Sequence, residues 1–441
     1  MRVLLAVHHF PPRYSAGAEL YTYRLARWLI RRGHEAEVVC VERIDARGAG
    51  PLRAHADTYE GVPVWRLDLD LRKAPAEWVF RNEAVMAWAA EHLETYRPDL
   101  VHLQSGYLIT PSVLEAAIGR GIATAVTLHD YWFLCPRITL LRGDGSLCAG
   151  PPDDPAACVW CERLASRRYR LADQATSGQF GRLAQQLGLG AGGRLIGGRR
   201  AYLRQILSQV DLAIAPSPFV AEQFRGTVAP ERLHSLTYGI DPAPTAAGGA
   251  PRDGGALRLG YLGQVVPHKG IHTILAALRR LPPEGRPVEL HVFGDADAQE
   301  SYGRLLRREA NASVFFHGKL ENTQIGPALQ SLDALVVSSV WYEVGPMTVM
   351  EAHAVGTPVL ASAIGNIPFI VRDEVDGLHF QPGDADDLAR QIARLRGDPE
   401  LLARLRAGTR LPKPVDTELS ELFQLYTQAV QAAPVVPSAG P

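Results

Sequence analysis

The feature that most restricts how this chain can fold is an alternation. Short apolar runs, too short for helices, are each followed by a stretch with apolar residues at helical spacing, and the pattern repeats along most of the 441 residues. Runs of that kind suit strands covered on both faces, and the helices between them supply the cover, which is parallel α/β architecture. In the first half, strands are expected at 3–7, 37–41, 99–104, 122–128, 211–216 and 233–237, with helices at 18–32 and 77–96 and a helix stop at Gly33. The alternation restarts with strands expected at 257–263, 288–294, 314–318, 334–339, 358–362 and 377–380, and helices at 270–281 and 299–309 among others. Between the copies, DPAPTAAGGAPRDGGA (241–256) has little to bury and reads as a linker. The expectation is two doubly wound domains, 1–240 and 257–415, each with a ligand crevice at the carboxyl ends of its strands and the crevices facing each other. A last helix at 416–433 lies outside the alternation and is expected to return to the first domain, and 434–441 reads as a frayed tail.

One region breaks the pattern. Residues 131–205 show no clear strand and read as a helical insertion. Within it, 162–205 holds nine arginines and two acids, a net charge of +7, whereas the whole chain is at −1. The global charge therefore gives no field for nucleic acid. The local charge reads either as a solvated helical face or as a basic edge meeting an anionic acceptor or a peripheral membrane contact. MRVLLAV at the start lacks the length and cleavage pattern of a secretory signal, and no apolar run reaches the ~18 residues that span a bilayer. These readings point to a cytoplasmic enzyme, at the inner face of the membrane if the basic segment meets lipid.

The stretch 338–362, SSVWYEVGPMTVMEAHAVGTPVLAS, concentrates the chemistry. A buried strand ends at Ser338, Pro346 fits the first turn of a helix, and Gly356 fits its end. Helix-start amides around Gly345, Met347, Thr348 and Val349 and the helix dipole would make an anion site. Glu343 before the helix suits sugar hydroxyls or positive charge developing at an anomeric carbon, and Glu351 inside it suits ribose hydroxyls. Lys269, between a strand and a helix, would set an ammonium beside a diphosphate. Gly17 would let backbone approach a ligand closely. His129 and Asp130 end a buried strand at a crevice edge.

Glu343, seven residues, then Glu351 resembles the paired-glutamate motif of retaining family-4 glycosyltransferases of the GT-B fold. Gly263-Gln264-Val265-Val266-Pro267-His268-Lys269-Gly270 is similar to their donor-phosphate loop, Thr127-Leu128-His129-Asp130-Tyr131-Trp132 to their catalytic-loop segment, and Ser15-Ala16-Gly17-Ala18-Glu19 to their glycine-rich first loop. Ala215-Pro216-Ser217-Pro218-Phe219 and Tyr238-Gly239-Ile240-Asp241 also fit, and the set runs in family order over nearly the whole chain. The resemblance implies a hexosyl transfer with retention, from a nucleoside diphosphate sugar to a glycan or lipid-linked acceptor in cell-surface polysaccharide synthesis. It implies catalytic roles for His129, Glu343 and Lys269. It implies donor binding by Gly17, Gly263, Gln264, Lys269, Gly345, Met347, Thr348, Val349 and Glu351, with no catalytic metal. Gln264 stands where the family often has arginine, and Gly365-Asn366-Ile367-Pro368-Phe369 departs from the family's glycine-pair loop, so donor preference stays open.

Four of the five cysteines crowd together as Cys135, Cys148, Cys158 and Cys161, a spacing that fits a structural zinc or free thiols, while Cys40 reads as a buried small hydrophobe. Asp68 and Asp70 read as a solvated strand edge, and Asp295 and Asp297 as better placed for a metal. The rival readings are a GT-B nucleotide-sugar epimerase or phosphorylase, a non-catalytic sugar-nucleotide binding protein, and a dinucleotide oxidoreductase. The last fails because no G-x-G-x-x-G follows the first strand.

Overall fold

The computed structural model describes residues 1–46, 50–186, 191–241 and 255–433. Most of the expected linker and all of the expected tail lie outside the described residues. The chain divides into two compact units, Met1–Thr237 with the segment from Leu419 onward, and Tyr238–Glu418.

Among the described residues, the first unit is built on eight strands: β1 (Arg2–Val7), β2 (Glu35–Arg43), β3 (Leu52–Tyr59), β4 (Val62–Leu69), β5 (Leu100–Leu103), β6 (Ala123–Thr127), β7 (Leu212–Ala215) and β8 (Leu233–Ser235). Their spatial order is β3-β4-β2-β1-β5-β6-β7-β8. All neighbours pair in parallel except β3 and β4, an antiparallel hairpin. Its two-residue turn is Glu60-Gly61, both at positive φ, which matches the twist of the strands it joins. The alternation signal misses this hairpin because β3 is mostly exposed and polar. The hairpin also overturns the solvated reading of Asp68. β3 covers that edge, and Asp68 is buried with its carboxylate 3.2 Å from the guanidinium of Arg53, its register partner. Asp70, beyond the strand end, binds Arg72 at Nε, 2.8 Å away.

The expected helix at 77–96 is two pieces: a 3₁₀ turn at Ala76–Val79 and a helix at Glu83–Tyr96. Asn82 makes the division, because its side chain accepts the N–H groups of Ala84 and Val85 and so caps a new helix start. Among the described residues the 131–205 insertion contains no strand; its helices are Pro155–Leu164, Arg167–Ala175, Gln179–Gln186 and Ala191–Gln209.

Among its described residues the second unit has six strands, β9 (Leu257–Leu262), β10 (Val288–Phe293), β11 (Val314–Gly318), β12 (Ala334–Val337), β13 (Val359–Ser362) and β14 (Gly377–Phe380), all parallel, in the order β11-β10-β9-β12-β13-β14. Successive residues feed opposite faces. Ala334 and Val336 belong to one apolar cluster, Leu335 and Val337 to the other. That is why these strands read as unbroken apolar runs rather than alternating ones.

Strand order places the site. From β9 the chain moves outward through β10 and β11, then returns to β12 on the other side of β9. The loops leaving the carboxyl ends of β9 and β12 therefore emerge side by side, at the switch point where ligands bind open α/β sheets. β1 and β5 stand in the same relation in the first unit. Among the described residues, no helix is long and apolar enough to cross a membrane.

Candidate active site

The β9 and β12 loops bring Lys269 and Glu343 together. After β9 the chain turns at Gly263 and enters a 3₁₀ turn, Pro267–Lys269, before the helix Ile271–Leu278. Gly270 sits between them at φ 72°, and a Cβ there would collide with the Ser338 carbonyl oxygen, so only glycine lets the two loops close. Two hydrogen bonds lace them: Ser338 Oγ donates to the Lys269 carbonyl at 2.9 Å, and Val340 N–H donates to the His268 carbonyl at 2.9 Å.

This lacing sets the Lys269 ammonium 2.7 Å from Glu343 Oε1. The same oxygen accepts the indole N–H of Trp341 at 2.9 Å and the Ser339 hydroxyl. The ammonium also lies 5.3 Å from the centre of the Trp341 ring. Burial alone would push the Glu343 carboxyl up, but the Lys269 charge and the three hydrogen bonds outweigh it and hold the group below the usual carboxylate range. Behind Glu343, the loop after β13 clamps its backbone. Asn366 N–H donates to the Glu343 carbonyl at 2.9 Å, and the Asn366 side-chain amide donates to the Val344 carbonyl at 3.0 Å. The Gly365-Asn366 departure from the family pattern is thus a buried brace for the motif.

The helix beyond runs Met347–Ala354, with Pro346 at its cap position and Gly356 at φ 76° past its end. The expectation that its first amides stand open needs correction. Met347 N–H donates to the Gly345 carbonyl at 2.9 Å and Val349 N–H to the Pro346 carbonyl at 3.0 Å, because the entry is a tight turn. Val349 is also fully buried in the apolar core, which removes it from the donor-binding set. Thr348 remains half-buried at the helix mouth, with no backbone acceptor for its N–H among the described residues. Glu351 lies half-buried one turn further on. Gly345 approaches the Tyr238 ring so closely that a Cβ would collide with it. Gly263 lies at φ 146°, and Gln264 is exposed, its carbonyl accepting the Tyr261 hydroxyl at 2.6 Å.

In the first unit, Gly17 opens the helix Gly17–Arg31 with nothing within 4 Å of where a Cβ would stand, so the protein's own packing does not require glycine there. Glu19, in the first turn, is buried against His8, Oε1 to Nε2 at 3.3 Å. His129, at the end of β6, is fixed through a chain that the sequence left unread. Its Nε2 lies 2.8 Å from Gln104 Oε1. The Gln104 amide nitrogen is 2.9 Å from His102 Nδ1, and His102 Nε2 is 2.8 Å from the Thr127 hydroxyl. The Tyr426 hydroxyl, from the last helix, also meets His102. The only sequence signal was a His-x-Gln pair interrupting an apolar strand. Burial, reinforced by the nearby His8, pushes the His129 imidazole down to about 3, so it is neutral at pH 7. Burial pushes Asp130 the other way, and its carboxylate accepts the Trp132 N–H at 2.8 Å.

Cys40 is fully buried and its thiol is pushed up to about 12 by burial. Cys135, Cys148, Cys158 and Cys161 are half-buried free thiols. Among the described residues no group of three or more His, Cys, Asp or Glu side chains stands ready to hold a metal ion. Asp295 accepts the amides of Asp297 and Ala298 within its own turn, and Asp297 pairs with Arg307 at 2.8 Å.

Residues 16–192 match the family described as Glycosyl transferase 4-like domain, and residues 249–411 match Glycosyl transferases group 1. The 2-deoxystreptamine glucosyltransferase of Streptomyces kanamyceticus is 33% identical over 162 residues, 36% of this chain and 41% of that protein. A glycogen synthase of Mycobacterium tuberculosis is 25% identical over 99% of this chain and 94% of its own length. Among solved structures, sucrose-phosphate synthase from Thermosynechococcus elongatus superposes with a TM-score of 0.68 at 21% identity, covering 98% of this chain and all of that one. Anabaena HepE, solved with UDP and glucose, does so with a TM-score of 0.65 at 16% identity, covering 97% of this chain and 99% of that one. With the two family matches lying one in each half and the fold shared end to end, the chain belongs to the family-4 glycosyltransferases of the GT-B fold.

Proposed function

We propose that this enzyme transfers a hexosyl unit, with retention of configuration, from a nucleoside diphosphate sugar to a glycan or lipid-linked acceptor in cell-surface polysaccharide synthesis. The observation that carries the reading is the convergence of Lys269, Glu343 and the mouth of the helix Met347–Ala354 at the switch point of the second sheet. An ammonium and a free helix-start amide at Thr348 suit a diphosphate leaving group. Glu343, kept ionised, suits sugar hydroxyls or the positive charge that grows at the anomeric carbon as the diphosphate departs. The acceptor hydroxyl attacks the face the leaving group vacates, and a phosphate oxygen of the donor takes its proton. His129, neutral and held by Gln104, contacts the transferred sugar as a hydrogen-bonding group. That the relative HepE was solved with UDP supports a nucleotide donor.

The test is a thermal-shift screen against UDP-, GDP-, ADP- and dTDP-sugars, followed by transfer assays with the best donor. One donor is expected to raise Tm, and Lys269→Ala is expected to abolish that shift. Turnover of donor alone to its epimer, or turnover only with inorganic phosphate, would replace transfer with the epimerase or phosphorylase reading. Undiminished transfer in both Glu343→Gln and Lys269→Ala would reject the site.

A further inference from the structure

The insertion in the first unit carries surface outside the residues assigned above to the donor and to catalysis. Its helices Pro155–Leu164, Arg167–Ala175 and Gln179–Gln186 close around Trp160, whose ring centre lies 6.0 Å from that of Tyr169 and 5.6 Å from that of Phe180. Leu164 and Ala184 complete this small core. What faces outward is unusual. On Arg167–Ala175 the exposed side chains are Arg167, Arg168, Leu171, Gln174 and Ala175, which helical spacing gathers into one face with Leu171 between the two arginines. On Gln179–Gln186, Gly181 and Ala184 turn inward, while Phe180 and Leu183, three residues apart, stay exposed beside Arg182. Leu171 and Leu183 are each more than half exposed, at 52% and 54%.

The charges are as telling as the apolar groups. Several exposed arginines elsewhere are paired, among them Arg304 with Glu300 at 2.6 Å, Arg307 with Asp297 at 2.8 Å and Arg394 with Glu374 at 2.7 Å. Among the described residues Arg167, Arg168, Arg182 and Arg194 form no ion pair with a carboxylate. Unneutralised positive charge and exposed aliphatic or aromatic side chains therefore share one small structural element.

We propose that this element docks on an anionic lipid bilayer. Headgroup phosphates would neutralise the arginines, while Leu171, Phe180 and Leu183 enter the boundary between headgroups and acyl chains. A soluble polyanion would meet the charges and leave the apolar side chains in water. An apolar protein partner would bury the leucines and leave the arginines unanswered. With no helix able to cross a bilayer among the described residues, the contact is a surface one.

The test is cosedimentation of the full chain with phosphatidylcholine vesicles containing about 30% phosphatidylglycerol, against pure phosphatidylcholine. Retention on the anionic vesicles alone is expected, weakening as salt rises. Leu171→Glu with Leu183→Glu, and separately Arg167→Glu with Arg168→Glu, should each cut retention tenfold or more while leaving far-UV circular dichroism unchanged. Should those variants misfold, Phe180→Trp keeps the charge: the emission it adds over that of the unmodified chain, which has seven tryptophans, should shift to the blue on anionic vesicles only. No retention of the unmodified chain, undiminished retention by the variants, or capture by heparin in place of vesicles would each overturn the proposal. The readout is lipid rather than sugar transfer, so failure here leaves the donor site standing.

Discussion

Lys269 and Glu343 stand 74 residues apart in sequence, yet their side chains meet at 2.7 Å because β9 and β12 are neighbours in the sheet. The pair is lopsided: the glutamate side chain is almost fully buried, the lysine about a quarter exposed. Each partner therefore has a different consequence when removed. Lys269→Ala leaves a buried carboxylate without its cation and is expected to destabilise the second unit by roughly 2–3 kcal/mol, besides weakening donor binding about 10–100-fold. Glu343→Gln keeps the shape and the Ser339 and Trp341 hydrogen bonds, so the fold should hold while kcat falls by about 10²–10³-fold. Denaturant titration beside transfer kinetics separates the two effects.

The same pair makes stability pH-dependent. The folded Glu343 carboxyl lies below the 4.5 of the unfolded group, so its contribution is complete above 4.5 and lost as pH falls through the folded value. The buried imidazoles act in a higher window. His129 in the folded chain takes its proton only near 3, His102 is also held well below 6.5, and both would protonate near 6.5 once unfolded. Each therefore stabilises the native state above about 6.5, and that contribution declines by up to about 1.4 kcal/mol per pH unit as acid is added. Thermal melts from pH 7 to 5 should show falling Tm, less steeply in His102→Gln if that variant folds. Because His129 does not titrate in this range, kcat should show no limb near 6.5 that disappears in His129→Asn.

The sequence made the two sheets legible, since buried parallel strands leave short, unbroken apolar runs that alternate with helical periodicity. It made Lys269 and Glu343 legible as well, because both sit where a strand hands over to a helix. It hid whatever depends on one side chain finding another across the sheet. Gln104 and His102 fix His129, but nothing along the chain ties residue 104 to 129 or 102 to Tyr426. The β3–β4 hairpin was hidden for a different reason: β3 lies at an exposed edge and carries no apolar pattern. The amides of Met347 and Val349 looked open only because sequence does not reveal how tightly the Pro346 turn closes.

Gly270 tests whether the loops must touch. At φ 72° with the Ser338 carbonyl against its Cα, Gly270→Ala has neither the conformation nor the room it needs. We expect a loss of more than about 2 kcal/mol and a parallel loss of transfer, since Lys269 would be pushed off Glu343. Gly17→Ala is the contrast. With open space around its Cα, it should leave Tm within about one degree, the size expected of a neutral surface change, and lower activity only if a ligand comes close there. A large Tm loss at Gly17 with none at Gly270 would invert the packing argument.

Catalysis and structure should part in their need for metal. The proposed chemistry at Lys269 and Glu343 asks for no divalent ion, so EDTA should leave initial transfer rates unchanged. For the insertion we propose a structural zinc on Cys135, Cys148, Cys158 and Cys161. One feature of the donor set fits: the Arg200 guanidinium lies 3.7 Å from the Cys158 sulfur, a cationic donor that favours thiolate over thiol. Burial without metal pushes Cys135, Cys158 and Cys161 up, and a cation would reverse that shift. Among the described residues the thiols as they stand form no group that could hold a metal ion, so binding requires them to rearrange. Metal analysis of purified protein should find about one zinc per chain, lost in Cys158→Ser with Cys161→Ser. That double variant should melt its insertion at lower temperature while the second unit's donor-induced Tm shift persists. A metal-free protein with four thiols titratable by a colorimetric reagent would return these cysteines to ordinary packing residues.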